Sequence, residues 1–203
     1  MTSNRTLPPR SSGAGLQPTT APHATFARRT TRTRHENIGL HELSPVHYVP
    51  VMPPEEFVPV GFEVPTSLAT NQFRLEPLGP PHNRADHAAW MSSIEHIRPT
   101  PGFRDSRWPP PSGMTLEENL TDLRRHADDF ARRAGFTFTV LDPNDNDVIG
   151  CVYLYPSRSE NWDITVRSWV RADRASLDLP LADALASWLT TDWPWERVDR
   201  CGR

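Results

Sequence analysis

Regular patterning begins at Gln72, where polar and apolar residues alternate through Gln72-Phe-Arg-Leu-Glu-Pro77-Leu78 as they do in a half-buried strand. Asn83 then caps a helix that carries Ala85, Ala88, Ala89, Trp90, Ile94 and Ile97 near a 3.6-residue period, and Pro99 and Pro101 stop it. A second helix opens at the capping box Thr115-Leu-Glu-Glu118. Its apolar stripe runs through Leu116, Leu120, Leu123, Ala127 and Phe130, and Gly135 is the expected C-cap. Three β runs follow. Residues 136–141 and 148–155 flank the turn DPNDND and predict an antiparallel hairpin. The third, 162–170, shows Ile164, Val166 and Val170 on one face, with Asp163, Thr165, Arg167 and Trp169 on the other. Pro180 opens a last helix with Leu181, Leu185, Trp188 and Leu189 on one stripe, and residues 196–201 read as a closing strand.

Ahead of this domain, residues 1–51 are rich in Pro, Ser, Thr and Arg without either helical or strand period, so a disordered and dispensable arm is expected. Residues 52–71 are punctuated by proline, and they predict an extended strap with Phe57 and Phe62 exposed. The domain proper is thus expected to span residues 72–203. Between the first two helices, RPTPGFRDSRWPPPSGM is too rich in Pro and Gly for regular structure. A loop of that length is a candidate wall of a binding site, with Trp108 placed to cover a ligand.

Charge narrows the partners. The chain carries 22 basic and 25 acidic residues for a net of -3, so nucleic acid is not expected as a partner. Every basic residue is Arg, which excludes Schiff-base lysine chemistry. Cys151 and Cys201 sit singly in apolar surroundings, the pattern of reduced thiols in a cytoplasmic protein. His82, His87 and His126 lack metal-ligand spacing and read as surface histidines, so no metal is expected. No apolar run is long enough to span a bilayer, and no membrane association is expected.

The order strand, helix, helix, three antiparallel strands, helix, strand resembles that of the Gcn5-related N-acetyltransferases (GNAT). The words FRLEPL, SSIEHIRPTPGF, FTVLDP, VIGCVYLYP and VRSWVRAD look like those of short, actinobacterial-type members. The resemblance implies an α+β fold, with a mixed, mostly antiparallel sheet flanked by helices. It implies acetyl-CoA as co-substrate and a small-molecule or protein amine as acceptor. In this family a strand splays from its neighbour to take the pantetheine arm, and the following loop and helix N-terminus take the pyrophosphate. Here those positions are Trp169, Val170, Arg171, Arg174 and Ser176. The loop is degenerate, since Arg174 and Ser176 stand where the family places glycines. The chain is also short at its C-terminus, lacking a counterpart of the family's last helix and two strands, so an open sheet edge and a homodimer are expected. Asp163 is the expected general base, against the alternative of a salt-bridged carboxylate, and Glu95 and His96 with Trp108 are the expected acceptor wall. A catalytically inactive GNAT-like binding module is the second reading.

Overall fold

The computed structural model describes residues 56–202, so the arm and the first residues of the strap lie outside the described part. Six strands form one sheet in chain order: β1 (Leu68–Ala69), β2 (Arg74–Pro77), β3 (Phe136–Leu141), β4 (Val148–Pro156), β5 (Ile164–Val170) and β6 (Val198–Asp199). All neighbours are antiparallel except β5 and β6, which run parallel. The helices are α1 (Asn83–Met91), α2 (Ile94–Ile97), α3 (Leu116–Ala131) and α4 (Asp178–Asp192). This is the mixed sheet with flanking helices that the resemblance implied.

Period-two patterning divides the side chains of the sheet between two cores. One face sends Phe136, Phe138, Val152, Leu154, Ile164 and Val166 against the α4 residues Leu181, Leu185, Trp188 and Leu189. The opposite face carries Cys151 and Trp169 against Trp90 of α1, Ile97 of α2 and Phe103 of the long loop. The strap belongs to the first core, contrary to expectation. Val58 is buried, Phe57 stacks on Trp195 at 4.7 Å, and Trp195 Nε1 donates to the Phe57 carbonyl at 2.8 Å. Apolar rings between prolines mark an adhering segment as well as an exposed one, and only the tryptophans near the C-terminus reveal which.

The capping box of α3 forms where the sequence places it, whereas Asn83 is the first residue of α1 rather than its cap, the cap position falling to His82 without a side-chain bond. Helix α4 opens at Asp178, two residues before Pro180. Thr115 Oγ1 accepts from Glu118 N at 3.2 Å while Glu118 Oε2 accepts from Thr115 N at 2.7 Å, closing the capping box of α3. The expected first helix is split at Ser92 and Ser93 into α1 and α2. The left-handed residue ending α3 is Arg133 (φ 58) rather than Gly135. Gly135 serves another purpose, because a Cβ there would lie 2.3 Å from the Tyr155 ring.

Helices α1 and α3 are joined by a buried polar contact. Asn119 Nδ2 donates to Asp86 Oδ2 at 3.0 Å, and Asn119 Oδ1 accepts from Trp90 Nε1 at 2.9 Å. Burial pushes the Asp86 carboxyl up to about 6, with the Asn119 bond opposing the shift. The folded state therefore holds the Asp86 proton more tightly than the unfolded chain does. This contribution to stability is complete at acidic pH and is lost as pH rises through about 6. Between pH 5 and pH 8 the loss amounts to about 1.4 kcal/mol, one unit of pKa being worth 1.36 kcal/mol. Urea melts of the wild type and of Asp86→Asn at the two pH values are expected to differ by that increment, the wild type losing more on alkalinisation.

Candidate functional site

The second face of the sheet carries a row of polar and aromatic side chains. Strand register sets Thr137 opposite Tyr153 and Tyr153 opposite Arg167, with Tyr155 beside Thr165 one row along. Helix α3 crosses this row with Asp122, Arg125, His126 and Asp129. The Pro-rich loop closes the other side with Phe103 and Trp108, leaving a cavity of about 320 Å³. Trp108 packs on Phe103 (5.6 Å between centroids), Trp90, Tyr153 and Trp169, so the loop is anchored by its own aromatic residues. Trp108 thus lines this cavity.

At the centre of the cavity wall is His126, which is buried rather than on the surface. Its Nδ1 lies 2.9 Å from Tyr155 Oη and 3.1 Å from Thr137 Oγ1. Tyr155 donates its only hydroxyl proton to Asp129 Oδ2 at 3.0 Å. Burial pushes the Tyr155 phenol up to about 12, so it keeps that proton. Toward His126 the phenol oxygen is therefore the acceptor and Nδ1–H the donor, which puts the lone pair on Nε2. Nε2 has no bonding partner among the described residues. Burial lowers the imidazole pKa below the ordinary value, Arg125 and Arg167 lower it further, and Asp122 and Asp129 oppose the shift. The result is a neutral, oriented base held against a cavity.

A second feature adjoins this one along β5. Strand β6 covers β5 only at Ile164 and Thr165. Arg171 N donates to the Ile149 carbonyl at 2.7 Å, and the alternation of antiparallel bonds from that point turns the backbone groups of Val166 and Val170 away from β4. Beyond Thr165 no strand among the described residues pairs with this outer edge. Val166, Ser168, Ala182, Leu185, Ala186, Leu189 and Arg200 line the narrow gap between the edge and α4.

The loop after β5 is wound as a 3-10 segment (Ala172–Leu177) leading into α4. Two of its amides are used internally, Ala172 N on Ser93 Oγ at 3.0 Å and Arg174 N on the Arg171 carbonyl at 2.8 Å. What it presents instead are side chains. Arg171 pairs with Asp147 and Asp173, both at 2.6 Å, and Arg174 with Asp142 at 3.1 Å, while its Nε is buried without a bond. Trp169 and Val170 are buried in opposite cores, and Ser176 is exposed.

Asp163, the expected base, is engaged elsewhere. Its carboxylate accepts from the amides of Glu196 (3.1 Å) and Arg197 (2.8 Å) and from the Arg197 guanidinium, which ties the start of β5 to the turn before β6. The Arg197 amide and guanidinium bonds hold its pKa below the usual carboxylate value, and a carboxylate so stabilised is a poor proton acceptor. Glu95 and His96 lie on α2 in a separate shallow hollow with Ser93, Pro111 and Ala172. They do not join Trp108. The residues that sequence reasoning missed are His126, Tyr155 and Asp129. The visible signal was a histidine three residues after Leu123 and four before Phe130, on the buried side of an otherwise apolar stripe.

Among the described residues no group of His, Cys, Asp and Glu is arranged to hold a metal ion, and no helix is long and apolar enough to cross a membrane. No protein-family model and no curated protein matches the chain. Solved structures of similar arrangement include three acetyltransferases. Ribosomal-protein-S5-alanine acetyltransferase from Vibrio fischeri is 14% identical with a TM-score of 0.48, the match covering 63% of this chain and 67% of that one. RimL, a ribosomal L7/L12 alpha-N-protein acetyltransferase, is 13% identical at 0.49, over 67% and 72%. Microcin C7 self immunity acetyltransferase MccE, in complex with acetyl-CoA and AMP, is 9% identical at 0.49, over 66% and 73%.

Proposed function

We propose that the protein is an N-acetyltransferase that moves an acetyl group from acetyl-CoA to an amine of a small molecule or a protein. The observation that carries this reading is the adjacency of the outer edge of β5, with which no strand among the described residues pairs beyond Thr165, and a cavity presenting the unbonded Nε2 of a neutral histidine. An extended pantetheine arm bonds such an edge as an added strand does. The amide of Val170 lies on the stretch of that edge which β6 leaves uncovered. Arg171, Arg174 and the Ser176 hydroxyl supply side-chain donors for the pyrophosphate in place of loop amides.

Acetyl-CoA supplies a thioester whose carbonyl carbon is attacked by the amine nitrogen, with cleavage of the C–S bond and departure of coenzyme A as its thiol. His126 Nε2 takes the proton that the amine loses on forming the amide and returns it to the departing thiolate, which restores the neutral imidazole, and Tyr155 and Asp129 hold the ring in the tautomer that allows this. The cavity aromatics keep water from the amine. Neither Cys151 nor Cys201 forms a disulfide among the described residues, which supports a reducing cytoplasmic setting.

The engagement of Arg171 and Arg174 by aspartates favours the second reading, a GNAT-like binding module without catalysis. Acetyl-CoA binding separates the two. At one hundred times its dissociation constant, acetyl-CoA is expected to stabilise the wild type by about 2.7 kcal/mol in a thermal-shift titration. Replacing Arg171 and Arg174 together by Ala is expected to weaken binding about tenfold or more, one charge-assisted bond being worth about 1.5–3 kcal/mol. No shift with the wild type rules out the transferase, and equal affinity in the double variant rules out the arginines as phosphate ligands.

A further inference from the structure

Three arginines line the cavity, and they differ in their partners. Arg125 is exposed and pairs with Asp122 at 2.6 Å. Arg158 is exposed near the end of β4. Arg167 is half-buried, and its guanidinium lies over Phe103 (5.7 Å) and Tyr153 (5.9 Å) with no ion pair or hydrogen bond among the described residues. An arginine stacked on two rings has its planar fork fixed while its N–H donors stay available, the state that suits bidentate binding of a carboxylate. His126 lies against the same Tyr153 ring, 5.6 Å between centroids, so the base and the free guanidinium flank one aromatic side chain. Asp129 and Asp122 stand on the His126 side, where a positive amine is favoured.

We propose that the acceptor is a zwitterionic amine of amino-acid or dipeptide size, its carboxylate on Arg167, its amino group at His126 and Asp129, and an apolar side chain against Phe103 and Trp108. A cavity of about 320 Å³ is at the small end of ligand sites, which suits an occupant of that size. This rests on the transferase reading for the chemistry, though not for the binding.

Phenylalanine, phenylalaninamide and phenethylamine form a probe set that differs only in the carboxylate. Ligand-observed NMR without acetyl-CoA measures binding, and thiol release in its presence measures turnover. Phenylalanine is expected to bind at least tenfold more tightly than the other two, and Arg167→Gln is expected to abolish that preference. In turnover the same contrast between the three probes is expected in the wild-type KM. Binding preference without turnover of any probe supports the pocket assignment and sinks the transferase reading. Equal turnover of phenylalanine and its amide overturns the carboxylate site and leaves the transferase standing. Failure of all three probes to bind at millimolar concentration overturns the proposal, and the wild-type comparison decides even where Arg167→Gln fails to fold.

Discussion

His126→Gln is expected to lower kcat by at least about a hundredfold, the lower end of what a positioned general base contributes, with acetyl-CoA affinity unchanged. Glutamine keeps much of the size of the imidazole and can still donate to Tyr155 Oη, but offers no basic nitrogen where Nε2 stood. The charged and titratable groups facing His126 are Asp122, Arg125 and Asp129 on α3, Tyr153 and Tyr155 on β4 and Arg167 on β5. Because burial outweighs the carboxylates, the imidazole is neutral at pH 7, and wild-type kcat is expected to be flat there and to fall as pH drops below 6.5. The same shift acts on stability. The unfolded chain binds the His126 proton more readily, so this contribution is present above pH 6.5 and lost as pH falls from there through the folded pKa. Acidification is therefore expected to destabilise the wild type more than His126→Gln. Wild-type turnover in the variant removes His126 from the chemistry.

Much of the fold was legible because its determinants are local. The Thr115–Glu118 box, the DPNDND turn and the alternation of 162–170 each lie within a few residues, and each formed as the pattern implied. The parts that were misread depend on residues far apart in sequence. Asp163 has the position of a cleft carboxylate until Arg197, 34 residues later, returns beside it with its amide and guanidinium. His126 reads as a surface residue until β4 places Tyr155 under it, 29 positions away. Glycine favours left-handed backbone, which suggests a helix cap at Gly135, whereas Arg133 takes that conformation and Gly135 makes room for the Tyr155 ring. That exchange links a misread cap to the site, since the phenol reaches His126 and Asp129 only with the ring in this place.

Gly150→Ala is expected to produce the largest loss of stability of any single methyl added to the sheet. Gly150 lies opposite Val170, where β5 ends and the 3-10 segment begins. A Cβ at residue 150 would stand 2.4 Å from the Trp169 carbonyl oxygen and 3.2 Å from Val170 Cα. Both are backbone atoms, so no rotamer change relieves the contact and the strands must separate. Overpacking of this kind costs about 3 kcal/mol at the upper end of its usual range. A domain of this size loses roughly 2–4 °C of Tm per kcal/mol, so a fall of roughly 10 °C is expected. Gly79→Ala is the matched control, because its backbone is extended (φ -161) and its nearest new neighbours stand at 3.8 and 3.9 Å. It is expected to melt within about 2 °C of the wild type, in the range of substitutions that create no clash. Separation at Gly150 also moves the outer edge of β5 on which the pantetheine arm is proposed to lie. The variant is accordingly expected to lose acetyl-CoA binding at temperatures where circular dichroism shows it still folded. Retention of both stability and binding in Gly150→Ala means that β4 and β5 are not held this closely, and that the slot has another shape.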